Sequence, residues 1–199
     1  MPKAYNPHDR LMIRAKREGF RARSVYKLQE INNKFNLFVP GMKVLDLGAA
    51  PGSWLQFASQ KVGSKGQILG LDLQEIEPVA ENVITQVCDI QNSELVNQLI
   101  SELGWAEVDL IVSDIAPSIS GIKHADQLKS LELNRAVFEV AKKYLNSSGK
   151  LVIKVFQGEG LDRFFRELKN YFRKVEVMTA RASRDRSVEQ YVVCSIKKI

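Results

Sequence analysis

The sequence predicts a doubly wound α/β domain, built on a mostly parallel seven-stranded sheet with helices on both faces. Three observations carry the prediction. From residue 43 onward, short runs of Val, Ile and Leu alternate with helical stretches. The runs are continuous rather than alternating, which suits strands buried on both faces. The first run ends in a glycine-bearing turn that opens straight into a helix, Asp46-Leu47-Gly48-Ala49-Ala50-Pro51-Gly52-Ser53-Trp54, and open α/β sheets bind ligands at such turns. A chain of 199 residues, 45% of them hydrophobic, buries one substantial core and leaves little room for a second full domain. Residues 1–40 read as a basic helical extension and residues 41–199 as the α/β domain.

In chain order, Asp9 to Glu18 is a basic helical approach segment. Ser24 to about Phe35 is an amphipathic helix, because Val25, Leu28, Ile31 and Phe35 recur at spacings of three and four. Val39-Pro40-Gly41 is a turn signal. Strands are expected at Lys43–Leu47, Gln67–Leu73, Asn82–Val87, Val108–Ser113 and Lys150–Phe156, and a hairpin-like pair at Val175–Thr179 and Gln190–Ile196. Helices are expected near Ser53–Lys61, briefly after Asp72, at Ser93–Leu103 and at Leu128–Leu145, with Ser147-Ser148-Gly149 as a helix-to-strand turn.

Charge is partitioned along the chain. Residues 1–40 carry nine Lys/Arg against three Asp/Glu, residues 41–149 eight against fourteen, and residues 150–199 twelve against six. The segments therefore sum to +6, −6 and +6, an acidic middle between two basic ends. If the ends meet on one face, that face is a polyanion footprint; a basic run alone is more often a solvated surface. No apolar stretch approaches the roughly 20 residues that span a bilayer, and the N-terminus lacks an apolar signal core, so a cytoplasmic protein without membrane contact is expected. Cys88 and Cys194 lie in strand-like runs without metal-ligand spacing and read as buried reduced thiols. His8 and His124 are assigned no role, and no metal site is expected.

The turn after the first strand carries Gly48 and Gly52 for close backbone approach and Pro51 for stiffness. A glycine pair alone also suits a plain βα connection. Two acids shift the balance: Asp72 ends the second strand, where a carboxylate can accept ribose hydroxyls, and Asp89 follows the third in Val87-Cys88-Asp89-Ile90, within reach of an adenine amino group. A dinucleotide site competes for the same features. The turn lacks G-x-G-x-x-G, and the acidic middle of the chain suits a cationic sulfonium better than a pyrophosphate, which favours S-adenosylmethionine.

The fourth strand ends in Ser113-Asp114-Ile115-Ala116-Pro117, and the fifth holds Lys154 within Leu151-Val152-Ile153-Lys154-Val155-Phe156. A lysine in an apolar strand must be paired, neutral or at an exposed end. Singly, Lys154 reads as a rim residue and Asp114 as a helix cap. At matching ends of adjacent strands they are a candidate catalytic pair.

Five segments in order carry a further signal: Arg21-Ala22-Arg23-Ser24-Val25-Tyr26-Lys27-Leu28, Asp46 to Trp54, Ser113 to Pro117, Gly149 to Phe156, and Ser183-Arg184-Asp185-Arg186-Ser187-Val188-Glu189-Gln190-Tyr191. Over nearly its whole length the chain resembles the FtsJ/RrmJ family of ribosomal RNA large-subunit 2′-O-methyltransferases, which have a Rossmann-like, class I S-adenosylmethionine-dependent fold. The resemblance implies a Lys-Asp-Lys-Glu catalytic set at Lys27, Asp114, Lys154 and Glu189, with Lys154 acting on the acceptor hydroxyl. It implies cofactor contacts at Gly52, Trp54, Asp72, Asp89 and Asp114, to which the local sequence adds Gly48, Ala49, Pro51, Ser53, Leu73 and Ile90. Ser53 departs from the second glycine common at that place.

By the same resemblance both basic ends reach one site, so Arg14, Lys16, Arg17, Arg21, Arg23, Arg181, Arg184 and Arg186 are the candidate RNA contacts. The implied substrate is large-subunit rRNA within the ribosomal subunit, at a uridine of the A-loop, and a monomer is expected. A tRNA anticodon-loop ribose, or a role as a non-catalytic ribosome-assembly factor, are the alternatives.

Overall fold

The structure, a computed structural model, describes residues 10–118, 120–182 and 189–198. Its elements run α1 (Arg10–Arg17), α2 (Val25–Phe35), β1 (Lys43–Leu47), α3 (Ser53–Val62), β2 (Gln67–Asp72), β3 (Val83–Val87), α4 (Ser93–Glu102), β4 (Val108–Ser113), α5 (Lys123–Tyr144), β5 (Leu145–Phe156), α6 (Leu161–Tyr171), β6 (Phe172–Met178) and β7 (Glu189–Lys197). The strands form one seven-stranded sheet in the order β3-β2-β1-β4-β5-β7-β6. Pairing is parallel from β3 through to β5, while β7 runs antiparallel to both β5 and β6. This is the doubly wound α/β sheet that the sequence predicts, hairpin included.

Side chains alternate faces along each strand, and the core divides accordingly. Leu45, Leu47, Leu151 and Ile153 pack with α4, α5 and α6 in one cluster. Val44, Val152, Tyr191 and Val193 pack with α1, α2 and α3 in the other. The second cluster takes in Ala15 of α1 and Val25, Leu28 and Ile31 of α2, all fully buried, beside Leu55 of α3. Each large aliphatic side chain buried in this way contributes about 1.5–3 kcal/mol, so the first two helices are held by the same core as the sheet.

Four local expectations are corrected. No helix follows Asp72: Asp72 Oδ1 accepts the Gln74 amide at 2.9 Å, and the Glu77 and Pro78 carbonyls accept from Arg21 instead of from a helical turn. Ser147 to Gly149 is not a turn, because β5 already begins at Leu145 and pairs with β4 across a register shift between Val108 and Leu110. Helix α5 starts at Lys123 rather than Leu128, with Asp126 accepting from the Ser120 amide and hydroxyl at 2.8 and 2.6 Å ahead of it. Between the fifth and sixth strands, where no helix is expected, α6 buries Phe164 and Leu168 on one side.

The sheet order reverses between β1 and β4. That reversal leaves a crevice at the carboxyl ends of the strands, where the predicted acids and glycines lie.

Candidate active site

A cleft of about 520 Å³ opens at this reversal, within the size range of ligand sites. The segments after four successive strands build it: Gly48 after β1, Asp72 and Leu73 at β2, Asp89 and Ile90 after β3, and Asp114 after β4. Helix α5 adds Lys129 and Glu132 at its side. Of the expected cofactor residues, these six line the cleft. Ala49, Pro51, Gly52, Ser53 and Trp54 belong to the turn and the start of α3 and do not line it. Ala50, Gln74, Cys88, Gln91 and Pro117 line it without having been expected.

The cleft walls are braced. Asp72 Oδ2 accepts the Ala50 amide at 2.9 Å, tying the turn after β1 to the end of β2. Ser113 Oγ donates to the Leu47 carbonyl at 2.7 Å, tying the ends of β4 and β1. Gly48 has φ +83°, and a Cβ there would lie 2.7 Å from Ile115 Cβ and 2.9 Å from its Cα. The turn after β1 and the loop after β4 therefore close on each other only around a glycine.

Beneath this turn lies Asp46, a residue that sequence reasoning leaves without a role. Alternation along β1 directs it to the α2 and α3 face, and neither carboxylate oxygen has a hydrogen-bond partner. Burial, then the charges of Asp114 and Asp72, push its carboxyl well above the usual range. An acid inside the apolar run Lys43-Val44-Leu45-Asp46-Leu47 was the available signal.

Beyond β4 the four expected catalytic residues assemble into two ion pairs. Lys154 Nζ lies 3.0 Å from Asp114 Oδ1 and also donates to the Asp114 carbonyl. Lys27 Nζ of α2 lies 2.5 Å from Glu189 Oε1. Lys27, Lys154 and Glu189 are all buried, and charges so placed persist only when paired. Strand register explains the assembly. On the antiparallel β5–β7 ladder Lys154 faces Tyr191 and Phe156 faces Glu189, and the two-residue period puts Lys154, Glu189 and Tyr191 on the face that α2 covers.

Tyr191 joins the pairs. Its hydroxyl donates to Asp114 Oδ1 at 2.6 Å, Lys27 Nζ lies 5.9 Å from its ring centre, and Trp54 packs 6.0 Å away, centre to centre. Burial and the Asp114 carboxylate raise the phenol well above its ordinary value, so it remains a donor at neutral pH. Within a Val-rich strand it reads as a core aromatic, and only its neighbour across the ladder reveals the role.

The two basic ends meet beside these pairs. Glu30 of α2 accepts the backbone amides of Arg181 and Ala182 at 2.7 and 2.9 Å, and Arg23 Nη2 donates to the Ala182 carbonyl at 3.1 Å. Arg14 is bound to Glu18 at 2.7 Å and lies over the Tyr26 ring. The Arg21 guanidinium donates to three backbone carbonyls. Lys16, Arg17 and Arg181 are exposed. Arg184 and Arg186 lie outside the described residues. Both cysteines are free and buried, and burial pushes the Cys194 thiol up to about 12.

A family model for FtsJ-like methyltransferases matches residues 20–197, nearly the whole chain. The chain belongs to this family. Its membership bears out the resemblance read from five short segments, and the fold is the one the family implies. A protein of Coxiella burnetii named Ribosomal RNA large subunit methyltransferase E is 43% identical over 189 residues, covering 93% of this chain and 89% of the relative. A Bdellovibrio bacteriovorus protein of the same name is 40% identical over 195 residues, covering 98% and 99%. A solved Plasmodium falciparum structure described as a ribosomal RNA methyltransferase is 28% identical, with TM-score 0.79 over 89% of this chain and 98% of that one. A Clostridium thermocellum structure at 15% identity and TM-score 0.59 shares the fold.

Proposed function

We propose that the protein transfers the methyl group of S-adenosylmethionine to the 2′-hydroxyl of a ribose in large-subunit rRNA, at a uridine of the A-loop. The observation that carries the reading is the pairing of Lys154 with Asp114, which also lines the cleft: one carboxylate belongs to both the cofactor site and the charged cluster. The relatives' names support the choice of rRNA.

The cleft fits the cofactor by its donor and acceptor chemistry. Each Asp72 oxygen accepts one backbone amide and keeps a second lone pair for a ribose hydroxyl. Asp89, with Oδ1 accepting the Gln91 amide at 2.9 Å, keeps acceptor capacity for an exocyclic amine. An acid-walled cleft favours a sulfonium, and the bound cofactor supplies an electrophilic methyl group. Lys154 steers the acceptor hydroxyl, and it takes up that hydroxyl's proton only after the ammonium paired with Asp114 has first released one of its own to solvent. Asp114, fixed by Tyr191, aims Lys154, while Lys27 and Glu189 flank the nucleotide. Most of the rate gain comes from alignment. The exposed cations Lys16, Arg17 and Arg181 are the candidates for phosphate contact, with Arg181 next to the Arg23–Ala182 junction.

This reading implies a cytoplasmic monomer acting on the ribosomal subunit. Purified protein with labelled cofactor, offered large ribosomal subunits and, in a parallel reaction, tRNA, should yield labelled 2′-O-methyluridine from the subunits. Label confined to tRNA would redirect the proposal to the anticodon-loop branch, and no transfer at all would leave an assembly factor.

A further inference from the structure

Arg21 is expected from sequence to contact phosphate, yet its guanidinium is already committed inside the protein. Nη1 donates to the Pro51 carbonyl at 3.2 Å and to the Glu77 carbonyl at 2.7 Å, and Nη2 donates to the Pro78 carbonyl at 2.6 Å. Pro51 belongs to the turn after β1. Glu77 and Pro78 belong to the loop after β2, which begins with the cleft residues Leu73 and Gln74. One side chain from the segment before α2 thus spans the outer side of both cofactor loops, while the Asp72–Ala50 bond spans them on the cleft side.

The surroundings are built to fit. Gly52 has φ +100°, and a Cβ there would lie 2.8 Å from Arg21 Nη1 and 3.1 Å from Ile76 Cγ2, so the turn, the guanidinium and the second loop pack around a missing side chain. The Arg21 amide donates to Gln56 Oε1 at 2.9 Å, and Gln56 Nε2 returns a bond to the Gly19 carbonyl at 2.9 Å. Three residues on, the Trp54 indole donates to the Ser24 carbonyl and the Ser24 and Ser53 hydroxyls share a bond, each at 2.9 Å.

We infer that Arg21 is a positioning residue for the methyl donor: it holds the turn after β1 and the loop after β2 in register, so that cofactor affinity depends on the segment leading into α2. The inference rests on the cofactor reading above. It requires a fork of N–H donors, which guanidinium has and ammonium lacks.

Full-length Arg21→Lys and Arg21→Ala test it by three readouts. Amide exchange at residues 48–52 and 73–79 should accelerate in both variants. The Kd for S-adenosylhomocysteine and the KM for S-adenosylmethionine should rise about tenfold or more in Arg21→Ala and be only partly rescued in Arg21→Lys, with kcat at saturation within about twofold of the parent. The salt dependence of RNA binding should be unchanged. If Arg21 is instead a phosphate contact, Arg21→Lys will behave as the parent and Arg21→Ala will lower the salt slope by roughly 0.7 to 0.9, which overturns the inference. Unchanged exchange and affinity in both variants overturn it too. Should Arg21→Ala fail to fold, Arg21→Lys decides on the same readouts. If the unsubstituted protein does not bind the homocysteine product, the cofactor reading fails, and the exchange data still decide whether Arg21 holds the loops together.

Discussion

Replacing Tyr191 with Phe removes one oxygen and leaves the ring that packs on Trp54. The hydroxyl bond to Asp114 is short, at 2.6 Å, and the tyrosine is fully buried. A hydrogen bond to a charged group contributes about 1.5–3 kcal/mol, and about 1.4 kcal/mol is a factor of ten in rate. If that energy is used to orient Asp114 and through it Lys154, kcat should fall roughly ten- to hundredfold, with the KM for cofactor nearly unchanged. Single-turnover methyl transfer at saturating cofactor is the assay, accompanied by thermal unfolding. A variant that melts earlier but turns over within twofold of the parent would show that Tyr191 only packs, and the positioning argument for Asp114 would fall.

Gly48→Ala should destabilise the fold by roughly 2–4 kcal/mol, from backbone strain at φ +83° and overpacking against Ile115, and should weaken cofactor binding, checked by urea unfolding and calorimetry. Asp46 holds its proton far more tightly folded than unfolded; as pH rises above about 3.9 the unfolded chain releases a proton that the folded chain keeps, so stability is lost with rising pH until the raised native value is passed. Asp46→Asn should remove that slope, up to about 1.4 kcal/mol per pH unit, and a parent-minus-variant difference that stays constant with pH would contradict the assignment. For the buried pair Lys27–Glu189, a double-mutant cycle with Lys27→Met and Glu189→Gln should give a coupling above about 1 kcal/mol, well beyond that of an exposed pair.

Much of this architecture is legible because strands buried on both faces leave unbroken Val, Ile and Leu runs, and because strand ends are where a doubly wound sheet puts its chemistry. Gly48, Asp72, Asp89 and Asp114 are found that way. Helix α6 has its signal in Leu161, Phe164 and Leu168, but Arg163 and Arg166 between them and Lys169 just after them dilute the apolar repeat. The start of α5 is hidden because its first turns lack an apolar repeat, and Asp126 bonds back to Ser120, six residues earlier, rather than to the residue directly preceding the helix. Tyr191 and Asp46 depend on which side chain lies across the sheet, information that local periodicity does not hold. Arg21 shows the limit most clearly: a basic run looks the same whether its guanidinium meets phosphate or three carbonyls.

The central claim, ribose methylation of rRNA at Lys154, is tested most directly by transfer of labelled methyl from S-adenosylmethionine to large ribosomal subunits, with digestion of the product to nucleosides. The account predicts label in 2′-O-methyluridine with the parent, and none with Lys154→Ala while its affinity for S-adenosylhomocysteine stays near that of the parent. Label on a base, or undiminished transfer by Lys154→Ala, would contradict it.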